Sequence, residues 1–180
     1  MNMSSYNILI AGFGGQGILF AGKVLATAGL LADRHLSWLP SYGPEMRGGT
    51  ANCSVCISDQ PIGSPLVTAP DILMVMNIPS YDKFIDAVVP GGTVVIDSTL
   101  VDKKTDREDI SAHYIPATML AKEHDLSGLA NIILLGKLMR ETGFLPVDQV
   151  KEALISSVPA RKEHLKALNE QAFLLGFDYD

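Results

Sequence analysis

The sequence predicts a three-layer α/β/α protein on a mostly parallel sheet, from three observations. Short apolar runs at 7–11, 71–76 and 93–97 alternate with segments whose apolar residues recur at helical spacing. Turn formers stand at the junctions, as at Gly12, Pro40 and Pro90-Gly91-Gly92. One run, 50–58, alternates instead and reads as a strand with a more exposed face, so at least one antiparallel strand is expected. Strand then helix, repeated, implies right-handed crossovers and helices on both faces, a Rossmann-like layout.

Each element has its own reason. The run 7–11 is a buried first strand. Ile18, Ala21, Gly22, Leu25, Ala28, Gly29 and Ala32 share a helical stripe, which predicts a helix over 17–32. Residues 35–39 give a second strand, stopped by Pro40, and 50–58 a third. Strands at 71–76 and 93–97 flank a short helix at 80–88, and 113–116 is the last strand. The remainder is helical, over 117–123, 128–142, 147–157 and 161–175. Ser127 is the expected cap of the second of these, and Gly143 and Gly176 are the expected stops of the second and last.

The totals limit the function. The 180 residues suit one domain, 1–180, with 47% apolar and 19% charged residues. No apolar run approaches the roughly 18 residues of a membrane span, and no basic-then-apolar leader opens the chain, so a soluble, cytoplasmic protein is expected. A net charge of −6 disfavours nucleic acid or an anionic membrane as partner. The densest basic group, Lys103-Lys104 with Arg107, is interrupted by Asp102, Asp106, Glu108 and Asp109. Cys53 and Cys56 form a C-x-x-C, but a spacing of three in a strand sends them to opposite faces, as small core residues. With two cysteines the chain cannot supply the four thiolates of an iron–sulfur cluster. His35, His113, His124 and His164 show no ligand spacing, so neither a metal site nor a catalytic residue is expected here.

Two loops carry the chemistry. Gly12-Phe13-Gly14-Gly15-Gln16-Gly17 fits G-x-G-x-x-G between a strand and a helix. Glycines admit positive φ and close backbone approach, and the helix start offers free N–H groups to an anion. The acid that would hold a ribose at the end of the second strand is missing, because that strand ends Trp38-Leu39-Pro40-Ser41 and Asp33 precedes it. A tight packing turn, an anion contact and a partner contact all remain open for this loop. Gly17 to Lys23 mimics a phosphate loop, but Val24 stands where Ser or Thr must bind Mg²⁺.

The second loop, Pro40-Ser41-Tyr42-Gly43-Pro44-Glu45-Met46-Arg47-Gly48-Gly49-Thr50, should leave the same sheet edge. Arg47 could present its planar fork to a carboxylate or phosphate with Glu45 orienting it, or the two could pair and shape the loop. Tyr42 offers a ring face to a base or a partner chain. Asn131, in a nearly all-apolar helix, must satisfy a loop carbonyl or face a ligand.

Together, 7–17 and Ser41-Tyr42-Gly43-Pro44-Glu45-Met46-Arg47-Gly48-Gly49-Thr50-Ala51 resemble the γ subunit of 2-oxoacid:ferredoxin oxidoreductases. Ser58-Asp59-Gln60-Pro61-Ile62-Gly63-Ser64-Pro65, Met76-Asn77-Ile78-Pro79-Ser80 and Leu129-Ala130-Asn131 extend the resemblance over nearly the whole chain. It implies a complex that oxidatively decarboxylates a 2-oxo acid to an acyl-CoA and passes electrons to ferredoxin. Thiamine diphosphate, Mg²⁺ and iron–sulfur clusters are then expected on thiamine-binding α and β subunits and a ferredoxin-like subunit, with none bound by this chain alone. The isolated chain is expected to be inactive and to pair with itself through surfaces meant for partners. Cofactor-binding or interface roles are expected for Gly12, Gly14, Gly15, Gln16, Gly17, Tyr42, Gly43, Glu45, Arg47, Gly48 and Gly49. The wording at 45–49 is more similar to 2-oxoglutarate or branched-chain enzymes than to pyruvate enzymes. The alternatives are a β subunit of an indolepyruvate-type enzyme or a free-standing nucleotide-binding oxidoreductase.

Overall fold

The computed structural model describes residues 5–41 and 50–180. The chain runs β1 (Ser5–Gly12), α1 (Ile18–Leu31), β2 (His35–Ser41), β3 (Ala51–Ser58), β4 (Ile72–Val75), α2 (Ile78–Phe84) and β5 (Thr93–Asp97). It continues through β6 (Ser111–Ile115), α3 (Ala117–Glu123), α4 (Ala130–Thr142), α5 (Val147–Ser157) and α6 (Leu165–Phe177). One sheet has the order β2-β3-β1-β4-β5-β6. β1, β4, β5 and β6 pair in parallel, while β3 runs antiparallel to both its neighbours, β1 and β2.

The period of two along each strand sorts side chains into two cores. Ile8, Ile10, Cys53, Val55, Ile72, Met74 and Val95 join the larger one, which α1, α3, α4, α5 and α6 cover. Leu9, Cys56, Leu73, Val75, Val94 and Ile96 join the smaller one, under α2 and its 3-10 extension Ile85–Ala87. Cys53 and Cys56 thus lie on opposite faces as free thiols, and burial pushes the Cys53 thiol up to about 12. Each fully buried Leu or Ile here contributes roughly 1.5–3 kcal/mol.

Four expectations are corrected. Pro40 does not stop β2; it sits inside the strand opposite Cys53. A proline fits because β2 is an edge strand, where one N–H can be forgone. β3 has no more-exposed face: apart from half-buried Asn52 it is buried throughout. It lies inside the sheet, with α1 on one face and the 61–67 connection on the other, where the Val67 N–H donates to Ser54 Oγ (3.2 Å). Ser127 does not cap α4, whose first turn follows Leu129 without a side-chain cap. Gly176 does not stop α6; it lies within that helix, which starts at Leu165 behind a 3-10 turn, Ala160–Lys162. Gly143 does end α4, at φ 54°.

Gly136 of α4 and Gly176 of α6 explain why the last helix continues through a glycine. A methyl on Gly136 would strike the Phe173 carbonyl oxygen, and one on Gly176 the Ile133 carbonyl oxygen. The two helices touch backbone to backbone. Lys137, nearly buried, ties the chain end down by donating to the Tyr179 carbonyl at 2.8 Å and pairing with Glu141 at 2.7 Å.

A candidate binding groove at the carboxyl edge of the sheet

β1 hands its chain to α1 on one side, while β4 lies on its other side. The gap between their carboxyl ends is therefore the topological switch point, where open α/β sheets take ligands. Three recesses border the glycine loop that leaves β1, and one of them also reaches Met76 at the end of β4. One of about 260 Å³ is lined by Phe13, Gly14, Ile18, Phe20, Ser41 and Ala51. A second, about 370 Å³, involves Gln16, Met76, Leu100, Thr118, Lys122 and Gly128. The third, about 450 Å³, involves Gly17, Asn131, Val158, Arg161, Lys162 and Asn169. Gly15 borders the first two and Gly17 the first and third, so the glycine loop is their shared rim.

The loop's shape follows from its residues. Gly12 closes β1, with so little room that a Cβ would meet Gln16 Oε1 at 2.6 Å and Met76 Cβ at 3.1 Å. Gly15 and Gly17 take φ of 91° and 77°, a left-handed backbone that side chains resist. Gly17 is the N-cap of α1, and among the described residues neither a side-chain cap nor an acidic first turn occupies the helix start. Those N–H groups therefore leave a partial positive charge at the rim. Phe13, at the exposed tip, is 42% accessible.

Two amide side chains hold the loop. Gln16 Oε1 accepts the Phe13 N–H (2.5 Å), and Gln16 Nε2 donates to the Met76 carbonyl (3.0 Å). Asn131 Nδ2 donates to the Gly17 carbonyl at 3.0 Å, so the loop-carbonyl reading of this buried amide is the one its geometry supports. Its Oδ1 has no partner among the described residues. On the far side of the groove, buried Asp97 accepts from Thr118 Oγ1 (2.5 Å) and from the Thr99 N–H (3.1 Å). That carboxylate fixes the start of α3.

Among the residues expected to act, Gly12, Gly14, Gly15, Gln16 and Gly17 come together at this edge. Tyr42, Gly43, Glu45, Arg47, Gly48 and Gly49 lie outside the described residues. Their flanks do not: Ser41 and Ala51 line the first recess with Gly14, and Ala51 pairs with Gly12. Sequence reasoning missed Phe13 as the exposed tip, and Lys122, Arg161 and Lys162 as lining cations, because their proximity comes from tertiary folding. Asp97 had a readable signal, an acid closing an apolar strand. Among the described residues, no group of three or more His, Cys, Asp or Glu could hold a metal ion, and no helix is long and apolar enough to cross a membrane.

An open α/β sheet with a glycine loop at its switch point is a layout in which α/β proteins commonly take ligands. The chain belongs to the pyruvate ferredoxin/flavodoxin oxidoreductase family, whose pattern matches residues 7–179. It is 40% identical over 174 residues to the 2-oxoglutarate synthase subunit KorC of Methanocaldococcus jannaschii, covering 95% of this chain and 91% of that one. It is 45% identical over 132 residues to the ketoisovalerate oxidoreductase subunit VorA of Methanothermobacter thermautotrophicus. That match takes in 73% of this chain, which spans only 27% of VorA's length.

Two solved structures share the fold closely. The keto/oxoacid ferredoxin oxidoreductase γ subunit of Geobacter sulfurreducens matches with a TM-score of 0.86 and 32% identity, over 97% of this chain and 95% of that one. The 2-oxoglutarate:ferredoxin oxidoreductase of Magnetococcus marinus, solved with 2-oxoglutarate, coenzyme A and succinyl-CoA, matches with a TM-score of 0.83 and 28% identity. It covers 96% of this chain and 30% of that one. Within the family, the chain is a γ-type subunit.

Proposed function

We propose that this chain serves a CoA-dependent 2-oxoacid:ferredoxin oxidoreductase, in which a 2-oxo acid is oxidatively decarboxylated to an acyl-CoA and electrons pass to ferredoxin. A 2-oxoglutarate or branched-chain substrate is favoured by the KorC and VorA relatives. The observation that carries the reading is the end-to-end similarity to KorC together with an uncapped helix start at the switch point. In this reading the chain is one cytoplasmic domain that contributes no reacting group. Its partners are thiamine-binding α and β subunits and a ferredoxin-like subunit, which hold thiamine diphosphate, Mg²⁺ and the clusters.

The groove suits coenzyme A on chemical grounds. Free N–H groups at the start of α1 favour a phosphate, Lys122, Arg161 and Lys162 add positive charge, and Phe13, Ile18 and Phe20 offer apolar wall. When bound, coenzyme A supplies the thiol that accepts the acyl group. Gly12, Gly14, Gly15, Gln16 and Gly17 would shape the rim, and Tyr42, Gly43, Glu45, Arg47, Gly48 and Gly49 would complete it, Arg47 by gripping a phosphate or carboxylate.

The test is reconstitution. Co-expression with the thiamine- and cluster-binding chains should give CoA-dependent ferredoxin reduction that this chain alone lacks. Arg47→Ala should raise the KM for CoA by about tenfold, the loss expected for a charge-assisted contact. Full activity without this chain would refute the reading. An unchanged KM would leave the loop as a subunit interface only.

A further inference from the structure

We infer that Gln16 is a positioning residue: its carboxamide pins the glycine loop to the chain leaving β4, and thereby sets where the free N–H groups of α1 point. The inference rests on the coenzyme A reading of the groove and deepens it.

A primary carboxamide carries an acceptor and a donor on one flat group. Here both are used, across 60 residues of sequence. Oε1 accepts the Phe13 N–H at 2.5 Å, and Nε2 donates to the Met76 carbonyl at 3.0 Å. The reverse orientation would set oxygen against oxygen and N–H against N–H, so the flip is decided by the partners. The Gln16 N–H also donates to the Phe13 carbonyl at 3.3 Å, closing the same turn twice. Gly12 belongs to the device, because a Cβ there would occupy the space of Gln16 Oε1.

The loop needs such a pin. Phe13, Gly14 and Gly15 are exposed, and a Cβ at Gly15 would meet nothing within 4 Å. Packing does not hold this stretch. The flanking Gly17 is held by Asn131 of α4, so two amides, one bonded to Met76 and one to Gly17, fix the turn that leads into α1. No other natural side chain substitutes fully. Asn is shorter by a methylene, Met keeps the shape without either bond, and Glu offers a donor only when protonated.

That last property gives the experiment. In the reconstituted complex, Gln16→Met should raise the KM for CoA about fivefold to tenfold at every pH between about 5 and 8, with kcat within about twofold. Gln16→Glu should also raise the KM near pH 8, where its carboxylate still accepts from Phe13 but sets oxygen against the Met76 carbonyl. It should recover toward the native KM as pH falls through the carboxyl's own pKa and the protonated group can again donate to Met76. Amide exchange on the full chain without CoA, measured by NMR, should show the Phe13 N–H losing protection in Gln16→Met. If Phe13 protection is unchanged, the pin does not exist. If protection is lost and Arg47→Ala raises the KM for CoA but Gln16→Met leaves it native, or if Gln16→Glu keeps its pH 8 KM once its carboxyl is protonated, the positioning role is refuted. The exchange arm is independent of CoA, so a failure of the functional reading alone would show as an unaltered KM for CoA in both Arg47→Ala and Gln16→Met, with the loss of Phe13 protection intact.

Discussion

The α4–α6 contact and the lining of the groove both depend on glycine, for opposite reasons. Gly136 and Gly176 have no side chain because another helix's backbone occupies that space. Gly15 and Gly128 have open space around them, yet their φ values of 91° and 87° are ones that side chains resist. In the first region glycine secures density, and stability is what a substitution would cost. In the second it secures an exposed backbone at the groove, and function is what a substitution would cost. A residue type therefore says little until its neighbours are known.

The comparison breaks most readily at the helix pair. Gly176→Ala should lower unfolding free energy by roughly 3 kcal/mol, at the upper end of overpacking costs, since a backbone carbonyl rather than a flexible side chain must yield. Gly128→Ala, strained in φ but unobstructed, should cost about 1 kcal/mol. Urea titration of the purified variants measures both, and equal losses would erase the distinction drawn between the two regions.

Gly17 lies between the extremes, because it has both a positive φ and an obstruction: a methyl there would strike the Asn131 amide. Asn131→Ala alone should cost about 1 kcal/mol, since the Gly17 carbonyl keeps its bond from the Ala21 N–H at 3.0 Å. Gly17→Ala should cost more in the native background than in Asn131→Ala, by about 1 kcal/mol, with the remainder being backbone strain. A double-mutant cycle with no coupling would mean that Asn131 has room to move.

Legibility in the sequence followed the same division. β5, α3 and α5 were readable to the residue, because periodicity and turn residues act within a few positions. The fold class was readable from the alternation of element types. Pro40 was misread because its meaning depends on β2 being an edge, and strand order is a property of the whole sheet. Gly176 was misread because a glycine late in a helix looks the same whether it ends the helix or admits a neighbour. In the candidate site the glycine loop was legible as a motif. The clamps from Met76 and Asn131, 60 and 114 residues away, were not. Ser127 shows the same limit locally, since a good cap residue two positions early leaves α4 starting uncapped.

The smallest expected effect tests whether the stable region also carries a pH signature that the loop lacks. Glu141 joins Lys137 at 2.7 Å and His113 at 3.3 Å, beside the α4–α6 contact. Burial alone would raise its carboxyl, but the Lys137 hydrogen bond and the charges of His113, Lys137 and Arg140 bring it below the ordinary range. A carboxyl lowered in the folded state binds fewer protons there than in the unfolded chain. Its contribution is therefore complete above the unfolded value of about 4.3 and is lost as pH falls through the lower folded value. Glu141→Gln should cost about 0.5–1 kcal/mol at pH 7, because the pair is partly exposed and screened. The gap between variant and native protein should close on acidification below pH 4, in urea titrations taken at each pH. A gap that persisted unchanged to pH 3 would mean that Glu141 stabilises by packing rather than by charge.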